Sequence, residues 1–517
     1  MLVSDEQSDL TTGARGSDDQ DQSDDLGRMV ARGLRWSLVS NLAARVGTVV
    51  MGIVLARLLA PSEYGVYTVA FVALIILSNI NDLGIETALI RHPGRVDDVG
   101  RTAVTVMGGS SLVLFVAAFL AAPAFADAFN APDATGVIRL LTVCVLINGA
   151  FAMQSALLTR EFQQGRRAIA DLTGLFVSIG VTIAMAAMGY GPWSLAWGRV
   201  IGNLVNGVLH FVLARARYRP GYDREIARSL LRVGIPIAGA SLFAEAVNDV
   251  DYVVVSRVLG ATSLGLYLMA FNLSSWPVTT LSTSVSRVSV PGFARLQHDR
   301  SALEAAFARS LALLIGISAF LCAALGVLSL HVVRFVYGPP WSGASLALRF
   351  LVVLGMVRVA VQLGRDLLNA VGHGRATLYI QVLWLTALAP ALAIGATHDG
   401  IRGVGIGHMI VAVTIPLPLT LLALHRAGLS IRVVLAQLPR PLIGASAAGL
   451  AALAGSSVVN GDFTKLLVGG TAALAVELVV AGPFLWRLAR SQRSLETPET
   501  VVDVEVKPSL APDVAPL

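Results

Sequence analysis

The sequence predicts an all-α polytopic membrane protein with about 14 transmembrane helices. Of its 517 residues, 55% are hydrophobic and 14% are charged, and the mean hydropathy is +0.71. An ordinary soluble protein carries roughly a quarter charged residues. One span needs about 20 apolar residues, so 14 spans take roughly 280 residues and leave no room for a large domain outside the membrane. The composition therefore excludes a soluble enzyme.

Long apolar segments recur from Trp36 to about Arg490, and short turns with Gly, Pro or charged residues separate them. Each segment is long enough to cross a bilayer as a helix. We predict transmembrane helices over residues 36–59, 64–90, 102–125, 136–158, 168–189, 192–213, 230–258, 264–290, 306–336, 345–369, 376–396, 402–424, 441–460 and 464–486.

Two acidic tails flank this apolar part. Residues 1–27 contain eight acidic residues and one arginine, a net charge of −7, and residues 495–517 contain five acidic residues and one lysine, a net charge of −4. Neither tail has helical periodicity, and we expect both to be disordered. The N-terminal tail lacks the basic start and the cleavage site of a signal peptide, so we expect the first apolar segment to remain as a span.

The arginines indicate how the helices are oriented. With the N-terminus in the cytoplasm, 27 of the 39 basic residues lie before the first helix, after an even-numbered helix or beyond the last one. The opposite loops contain about six. Cytoplasmic loops of membrane proteins carry such an excess of basic residues. The pattern predicts an even number of spans with both termini in the cytoplasm.

The sequence also contains an internal repeat. Residues 54–71 (VLARLLAPSEYGVYTVAF) align without gaps with residues 254–271 (VVSRVLGATSLGLYLMAF) at an offset of 200 residues. The identical pairs are Val54/Val254, Arg57/Arg257, Leu59/Leu259, Gly65/Gly265, Tyr67/Tyr267, Ala70/Ala270 and Phe71/Phe271. Shared Arg, Gly and Tyr are not generic membrane composition, and we interpret the match as a duplication with parallel halves.

The duplication predicts five regions in the chain. We expect an acidic cytoplasmic tail (1–34), a six-helix lobe (35–220), a second six-helix lobe (221–430), two additional transmembrane helices (431–494) and a C-terminal cytoplasmic tail (495–517). Two lobes of parallel orientation are related by an axis along the membrane normal in some transporters. We therefore expect a central cavity between the lobes.

Three stretches of this sequence resemble a known family. They are LARLLAPSEYGVYTVAFVALIILSNINDLGIETALIRH (55–92), DVDYVVVSRVLGATSLGLYLMAFNL (249–273) and VSRVSVPGFARLQHD (285–299). They are similar to bacterial oligosaccharide flippases of the Wzx and WzxC type, in the multidrug/oligosaccharidyl-lipid/polysaccharide exporter superfamily. The resemblance covers about residues 30–430 and implies a V-shaped pair of lobes around a cavity that opens to one side and then to the other.

The resemblance also implies a function and a location. Such a protein moves undecaprenyl-diphosphate-linked oligosaccharide from the cytoplasmic to the outer leaflet of the bacterial cytoplasmic membrane, for lipopolysaccharide, capsule or exopolysaccharide. Its partners would be the polyprenyl-linked oligosaccharide, the lipid bilayer, and the polymerase and glycosyltransferases of the same assembly. No cofactor is implied, although coupling to H⁺ or Na⁺ is an open possibility.

Polar side chains inside apolar segments are the candidates for a site, because a charge at the centre of a bilayer costs about 2.5–3.5 kcal/mol on insertion scales. Several of them share helical faces. Cations would bind the diphosphate, and hydroxyls or amides would bind sugar. We predict a substrate cavity lined by Asn41, Arg45, Asn272, Thr279, Arg358 and Gln362. The resemblance likens Arg45 to a cavity arginine on the first helix of lipid II flippases.

A second group of polar residues, most of them acidic, has two possible roles. They are either structural ion pairs with nearby arginines, or coupling and gating groups that titrate or bind Na⁺. The residues are Asp82, Glu86, Glu245, Asp249, Asp251, Arg365 and Asp366. Structural or gating pairs are favoured for Asp82, Glu86 and Asp251, whereas Glu245 and Asp249 leave both roles open.

Motifs for other functions are absent from the sequence. There is no Walker A, G-x-S-x-G, H-E-x-x-H or G-x-G-x-x-G motif, and the eight histidines have no metal-ligand spacing. We therefore predict no enzyme, no catalytic residue, no metal and no nucleic-acid partner. Two alternatives remain open. One is a cation-coupled exporter of small drugs, and the other is a membrane scaffold that recruits biosynthetic proteins without transporting.

Overall fold

The structure is a computed structural model of the full chain. It describes residues 40, 42–82, 89, 96–161, 163–214, 218–296 and 299–493. Both predicted acidic tails, Asn41 and Glu86 lie outside the described residues. For Asp82, Glu245 and Thr279 the structure describes the backbone only.

The described residues form helices and contain no β-strand. This confirms the predicted all-α class. In chain order the α-helices are α1 (42–58), α2 (Pro61–Asp82), α3 (Val96–Ala128), α4 (Ala134–Arg160), α5 (Gln164–Ala187), α6 (Pro192–Leu213), α7 (Arg224–Leu296), α8 (Arg300–Val327), α9 (Ser329–Val336), α10 (Ala344–Ala370), α11 (Gly374–Thr414), α12 (Pro416–Arg426), α13 (Ile431–Ala436), α14 (Pro439–Val458), α15 (Asp462–Val480) and α16 (Gly482–Arg493).

Two of these helices are each two arms joined at a kink. In α7 the kink is Gly260, whose φ of 80° lies in the left-handed region that glycine adopts without steric cost. In α11 it is at Asp399 and Gly400, where φ is −142° and 55°. Both kinks fall between predicted spans. Gly260 is also the repeat equivalent of Ala60, which lies in the short turn between α1 and α2.

Two predicted spans are each broken where the sequence analysis expected one helix. The segment 306–336 divides at Leu328 into α8 and α9. The segment 402–424 divides at Ile415, because Pro416 has no N–H to donate and restricts the residue before it.

The membrane character of the chain is confirmed, since ten helices of the described part are long and apolar enough to cross a bilayer. The exact count of 14 spans stays a prediction.

The helices pack in two sets and a terminal pair. In the first set α2, α3, α4, α5 and α6 pack on one another, and in the second set the two arms of α7 pack with α8, α10 and α11. The terminal helices α14 and α15 pack together and attach to the second set through α8. The exact boundaries of the predicted regions stay predictions.

The two sets meet most closely where the two copies of the repeat cross. A Cβ atom added to Gly65 would lie 1.8 Å from the carbonyl oxygen of Ala261, and one added to Gly265 would lie 2.3 Å from the carbonyl oxygen of Pro61. Pro61 and Ala261 are themselves repeat equivalents. Each copy of the repeat therefore makes the same contact with the other copy, as in an interface with two-fold symmetry.

Hydrogen bonds extend this symmetric junction. The repeat equivalents at positions 56/256 and 57/257 each bond to the opposite set, the first copy to Phe335 in α9 and to Trp341 beyond it, and the second copy to Phe129 and Asn130 just after α3. The bonds run from Trp341 Nε1 to Ala56 O (2.6 Å), from Ser256 Oγ to Phe129 O (3.1 Å), from Asn130 Nδ2 to Arg257 O (2.7 Å) and from Arg57 Nη2 to Phe335 O. The junction lies at the end of the helices opposite to the predicted cytoplasmic loops.

Candidate functional site

The predicted cavity residue Arg358 lies half-buried on α10 and is held by aromatic rings. Its guanidinium carbon lies over Phe271 at 5.0 Å from the ring centroid and over Trp384 at 6.0 Å. Attraction to ring faces holds a guanidinium in place without neutralising its charge. Phe271 belongs to the internal repeat, so a residue of the repeat holds the guanidinium of Arg358 in place.

A fully buried polar cluster lies in the same set of helices. The hydroxyl of Tyr267 donates to Asp251 Oδ2 at 2.9 Å and lies 3.3 Å from His408 Nδ1. Asp251 Oδ2 and His408 Nδ1 are 4.0 Å apart. Asp251 also accepts a hydrogen bond from the backbone N–H of Tyr252 at 3.0 Å. The exposed fractions of Asp251, Tyr267 and His408 are 0%, 0% and 1%.

This cluster and Arg358 share an aromatic neighbour. The ring of Phe271, over which Arg358 lies at 5.0 Å, is 6.1 Å from the ring of Tyr267. The sequence analysis favoured a structural or gating ion pair for Asp251. The structure bonds Asp251 to a tyrosine and places a histidine next to it, and the predicted role of Asp251 stays a prediction.

The other predicted residues of α10 form a local network. Gln362 Nε2 donates to Asp366 Oδ1 at 2.8 Å, and Arg365 Nη2 donates to Gln362 Oε1. Asp366 is buried with an exposed fraction of 8%. The carboxamide of Gln362 is thus bonded to its two neighbours on the same helix. Its assignment to the substrate cavity stays a prediction, as does a coupling role for Arg365 and Asp366.

The remaining predicted residues are distributed over α1 and α7. Arg45 is exposed on α1, and Asn272 and Asp249 are half-buried on α7. The role of Arg45 as a second cation of the site stays a prediction.

Sequence reasoning missed an amide-lined cavity of about 230 Å³ in the first set. Its walls include four asparagines, of which Asn203 donates to Asn148 at 3.2 Å and Asn206 donates to Asp171 at 2.9 Å. His210, buried at the same site, lies 3.5 Å from Asp171. The spacing of Asn203, Asn206 and His210 on one helical face was the available signal, but the search favoured charged residues.

Arg199 and His408 were also missed. Arg199 lies over the ring of Phe71 at 5.5 Å, and it is not among the predicted site residues. Phe71 is the repeat equivalent of Phe271, so each set holds one arginine over the same repeated ring. His408 is a single histidine in an apolar segment, and nothing in the sequence distinguishes it from a core residue.

The fold and these buried polar groups define a class, the polytopic helical membrane proteins with two packed sets of helices. Two solved structures share the fold. The lipid II flippase MurJ in an inward closed conformation matches with a TM-score of 0.72 and 14% identity, covering 88% of this chain and 100% of that one. A multidrug resistance MATE family transporter in an inward-facing conformation matches with a TM-score of 0.58 and 18% identity, covering 74% and 94%.

Sequence comparison then places the chain in a family. The polysaccharide biosynthesis protein family matches residues 54–346, which is more than half of the chain, and the chain belongs to that family. It is 26% identical over 390 residues to the lipopolysaccharide biosynthesis protein WzxC of Escherichia coli, covering 74% of this chain and 78% of the relative. It is 23% identical to the succinoglycan biosynthesis transport protein ExoT of Rhizobium meliloti, covering 71% and 75%. The predicted family is therefore confirmed.

Proposed function

We propose that this protein is a flippase that carries undecaprenyl-diphosphate-linked oligosaccharide from the cytoplasmic to the outer leaflet for surface polysaccharide synthesis. The family to which it belongs and the transport function named for ExoT support a role in export of polysaccharide precursors. The fold shared with a lipid II flippase fits a lipid-linked substrate. No catalytic step is required, because the substrate crosses the membrane unchanged.

The observation that carries the proposal is the position of Arg358. A diphosphate that crosses the bilayer interior needs a cation there, because an unpaired anion is costly in low dielectric. Arg358 lies within a membrane-spanning helix, is half-buried, and is held over Phe271 and Trp384. Its planar group can bind phosphate oxygens through two N–H donors at once.

The amide-lined cavity of the first set supplies a complementary environment for sugar. Asn148 and Asn203 present carboxamide groups, which both donate and accept hydrogen bonds and therefore match neutral hydroxyls. We place the glycan on this side of the pathway and the diphosphate on the side of Arg358. The polyprenyl chain stays in lipid, where its apolar surface costs nothing.

The orientation and partners form the finer part of this proposal. We propose that the protein lies in the bacterial cytoplasmic membrane with both termini in the cytoplasm, as the arginine pattern predicts. The junction between the two sets would then close the outer side. The polymerase and glycosyltransferases of the same polysaccharide would supply and consume the lipid-linked substrate.

The test is a gene deletion in the native host, with labelled undecaprenyl-linked glycan measured on each leaflet. We expect glycan to accumulate on the cytoplasmic leaflet and wild-type protein to clear it. Arg358→Ala and Arg45→Ala should fail to clear it. Arg139→Ala is the matched control for Arg358, because Arg139 also lies over a phenylalanine ring, that of Phe119, at 5.0 Å.

Unchanged leaflet distribution in a deletion strain without a second flippase would contradict the proposal. In that case drug susceptibility of the same strain would test the exporter alternative. Clearance by a protein without residues 1–27 and 495–517 would argue against the scaffold alternative, since a scaffold that recruits partners through its tails would lose function.

A further inference from the structure

The buried cluster of Asp251, Tyr267 and His408 joins three helical segments inside the second set. Asp251 lies in the first arm of α7, Tyr267 in the second arm beyond the Gly260 kink, and His408 in the second arm of α11. All three side chains are at most 1% exposed. An ionised group at such a place in a membrane protein is costly and usually serves ions, protons or substrate.

The hydrogen bonds define where protons can reside. A tyrosine hydroxyl has one proton, and the hydroxyl of Tyr267 donates it to Asp251. The contact between Tyr267 and His408 therefore uses a proton on Nδ1 of the imidazole, which donates to the tyrosine oxygen. The Nε2 atom of His408 is buried and has no hydrogen-bond partner in the part of the chain that the structure describes. The cluster can thus accept a proton at Asp251 or at His408 Nε2.

The charged and titratable groups around the cluster come from several elements. On α7 they are Asp249 and Tyr252, from α2 comes Tyr64, and from α10 comes Arg358. The guanidinium of Arg358 is a positive charge beside the cluster, because it lies 5.0 Å from the ring of Phe271 and that ring lies 6.1 Å from the ring of Tyr267. It therefore balances the carboxylate of Asp251 in an environment of low dielectric.

The same arginine is the proposed ligand of the diphosphate. We infer that the Asp251–Tyr267–His408 cluster is a proton-binding site linked to substrate, which takes up a proton when the diphosphate occupies Arg358. The inference rests on the proposed function. A bound diphosphate neutralises the guanidinium, so Asp251 loses its balancing charge, and a proton taken up from solution replaces it.

Thermodynamic linkage makes this effect reciprocal. If diphosphate promotes proton binding, then protons promote diphosphate binding by the same factor. For one linked proton, the affinity for diphosphate changes by at most about tenfold per pH unit. When the diphosphate leaves, Arg358 balances Asp251 again and the proton is released. The site thus offsets part of the negative charge that the substrate brings into the bilayer interior.

The first set lacks this cluster and provides a control. Tyr67 is the repeat equivalent of Tyr267, but Met51 stands where Asp251 stands in the second copy. Tyr67→Phe and Tyr267→Phe remove the same hydroxyl from equivalent helices. Only the second substitution removes a hydrogen bond to a carboxylate.

The experiment measures proton exchange by the purified full-length protein in weak buffer, with a pH indicator and farnesyl diphosphate as a soluble polyprenyl diphosphate. We expect wild-type protein to take up protons on binding. Asp251→Asn should bind the probe without this extra uptake. The affinity of this variant for the probe should change with pH only as much as the probe's own titration requires. The probe's own titration is common to both proteins and cancels in their difference.

Three outcomes decide the question. Equal proton exchange by wild-type protein and Asp251→Asn, with binding intact, would overturn the inference and leave the proposed function standing. Wild-type protein that binds farnesyl diphosphate no better than uncharged farnesol would overturn the proposed function and the inference together. If Asp251→Asn does not fold, Tyr267→Phe replaces it, and a pH profile of uptake identical to that of Tyr67→Phe would overturn the inference.

Discussion

The two copies of the repeat share a frame but differ in chemistry. Both copies keep the tyrosine and the phenylalanine, and both hold an arginine over the phenylalanine, Arg199 over Phe71 and Arg358 over Phe271. The second copy adds a carboxylate and a histidine beside its tyrosine, whereas the first has Met51 at the position of the carboxylate. The junction residues Arg57/Arg257 and Gly65/Gly265 are therefore retained, whereas position 51/251 beside the tyrosine has diverged.

This difference assigns separate tasks to the two sets. The second set combines a cation with the buried cluster of Asp251, Tyr267 and His408, and the first set has a cavity lined by four asparagines with His210 and Asp171 at one side. A lipid-linked glycan has the same division, since its diphosphate is charged and its sugars are neutral.

The largest effect is expected from Gly65→Ala at the shared junction. The new methyl group would lie 1.8 Å from the carbonyl oxygen of Ala261, a backbone atom that cannot move without separating α2 from the second arm of α7. We expect transport to fall at least tenfold and the junction to open, with Gly265→Ala giving the same result. Disulfide trapping across the junction and the leaflet assay would measure both effects.

Gly108→Ala is the matched control for this substitution. Gly108 lies in α3, and an added Cβ would meet nothing within 4 Å. Normal transport by Gly65→Ala would show that the arms do not need this close approach. If substitution of only one of the two junction glycines strongly lowered transport, the symmetry of the contact would not be required for function.

The next effect distinguishes the two arginines. Arg358→Ala should weaken binding of farnesyl diphosphate by about ten- to a hundredfold, because a charge-assisted hydrogen bond contributes about 1.5–3 kcal/mol. Arg199→Ala should weaken it less than threefold, since Arg199 is exposed and lies outside the titratable cluster. Equal losses, measured by isothermal titration, would indicate that both sets bind the anion and would remove the division of tasks.

A smaller effect is expected from the hydrogen bonds of the junction. Trp341 is fully buried, and its Nε1 donates to the carbonyl oxygen of Ala56 at 2.6 Å. Trp341→Phe would leave that carbonyl unpaired and should cost about 1–3 kcal/mol of stability. The midpoint of thermal unfolding in detergent would measure the loss. Trp197→Phe is the control, because Trp197 is 41% exposed, and an equal decrease there would contradict the prediction.

The sequence predicts the frame better than the site, for physical reasons. Hydrophobic segments and the repeat follow from constraints on every residue, and so both the helices and the kink at Gly260 were predictable. The site depends on a few contacts between distant residues. Tyr267 and His408 are 141 positions apart and meet at 3.3 Å, and no local pattern reports such a contact.

The prediction of site residues rested on charged residues in apolar segments. It named Asp251 and Arg358, because burial of an ionisable residue in a membrane is rare, and their roles stay predictions. It passed over Asn203 and Asn206, since carboxamides cost less to bury and are less conspicuous in a sequence. The breaks at Leu328 and Ile415 escaped because hydropathy continues through them, although Pro416 marked the second one.

The smallest effect is expected outside the repeat, at the start of α8. Asp299 caps this helix by accepting hydrogen bonds from the backbone N–H groups of Ser301 and Ala302, each at 3.0 Å. The bond from Ala302, followed by the hydroxyl of Ser301, lowers the pKa of the Asp299 carboxyl below its ordinary value. A carboxyl with a lowered pKa stabilises the fold above its ordinary pKa, and this contribution disappears as the pH falls through the lowered value.

Asp299→Ala should therefore lower the thermal midpoint by a few degrees at most at neutral pH, and the difference from wild type should shrink as the solution is acidified. Ser430→Ala is the matched control, because Ser430 precedes α13 without forming a side-chain capping bond. Transport should be unchanged in both variants, since Asp299 belongs neither to the repeat nor to the cluster. A decrease in the thermal midpoint that is independent of pH would show that the charge of Asp299 is not what caps α8. A loss of transport would show that function depends on parts of the second set outside the repeat and the buried cluster.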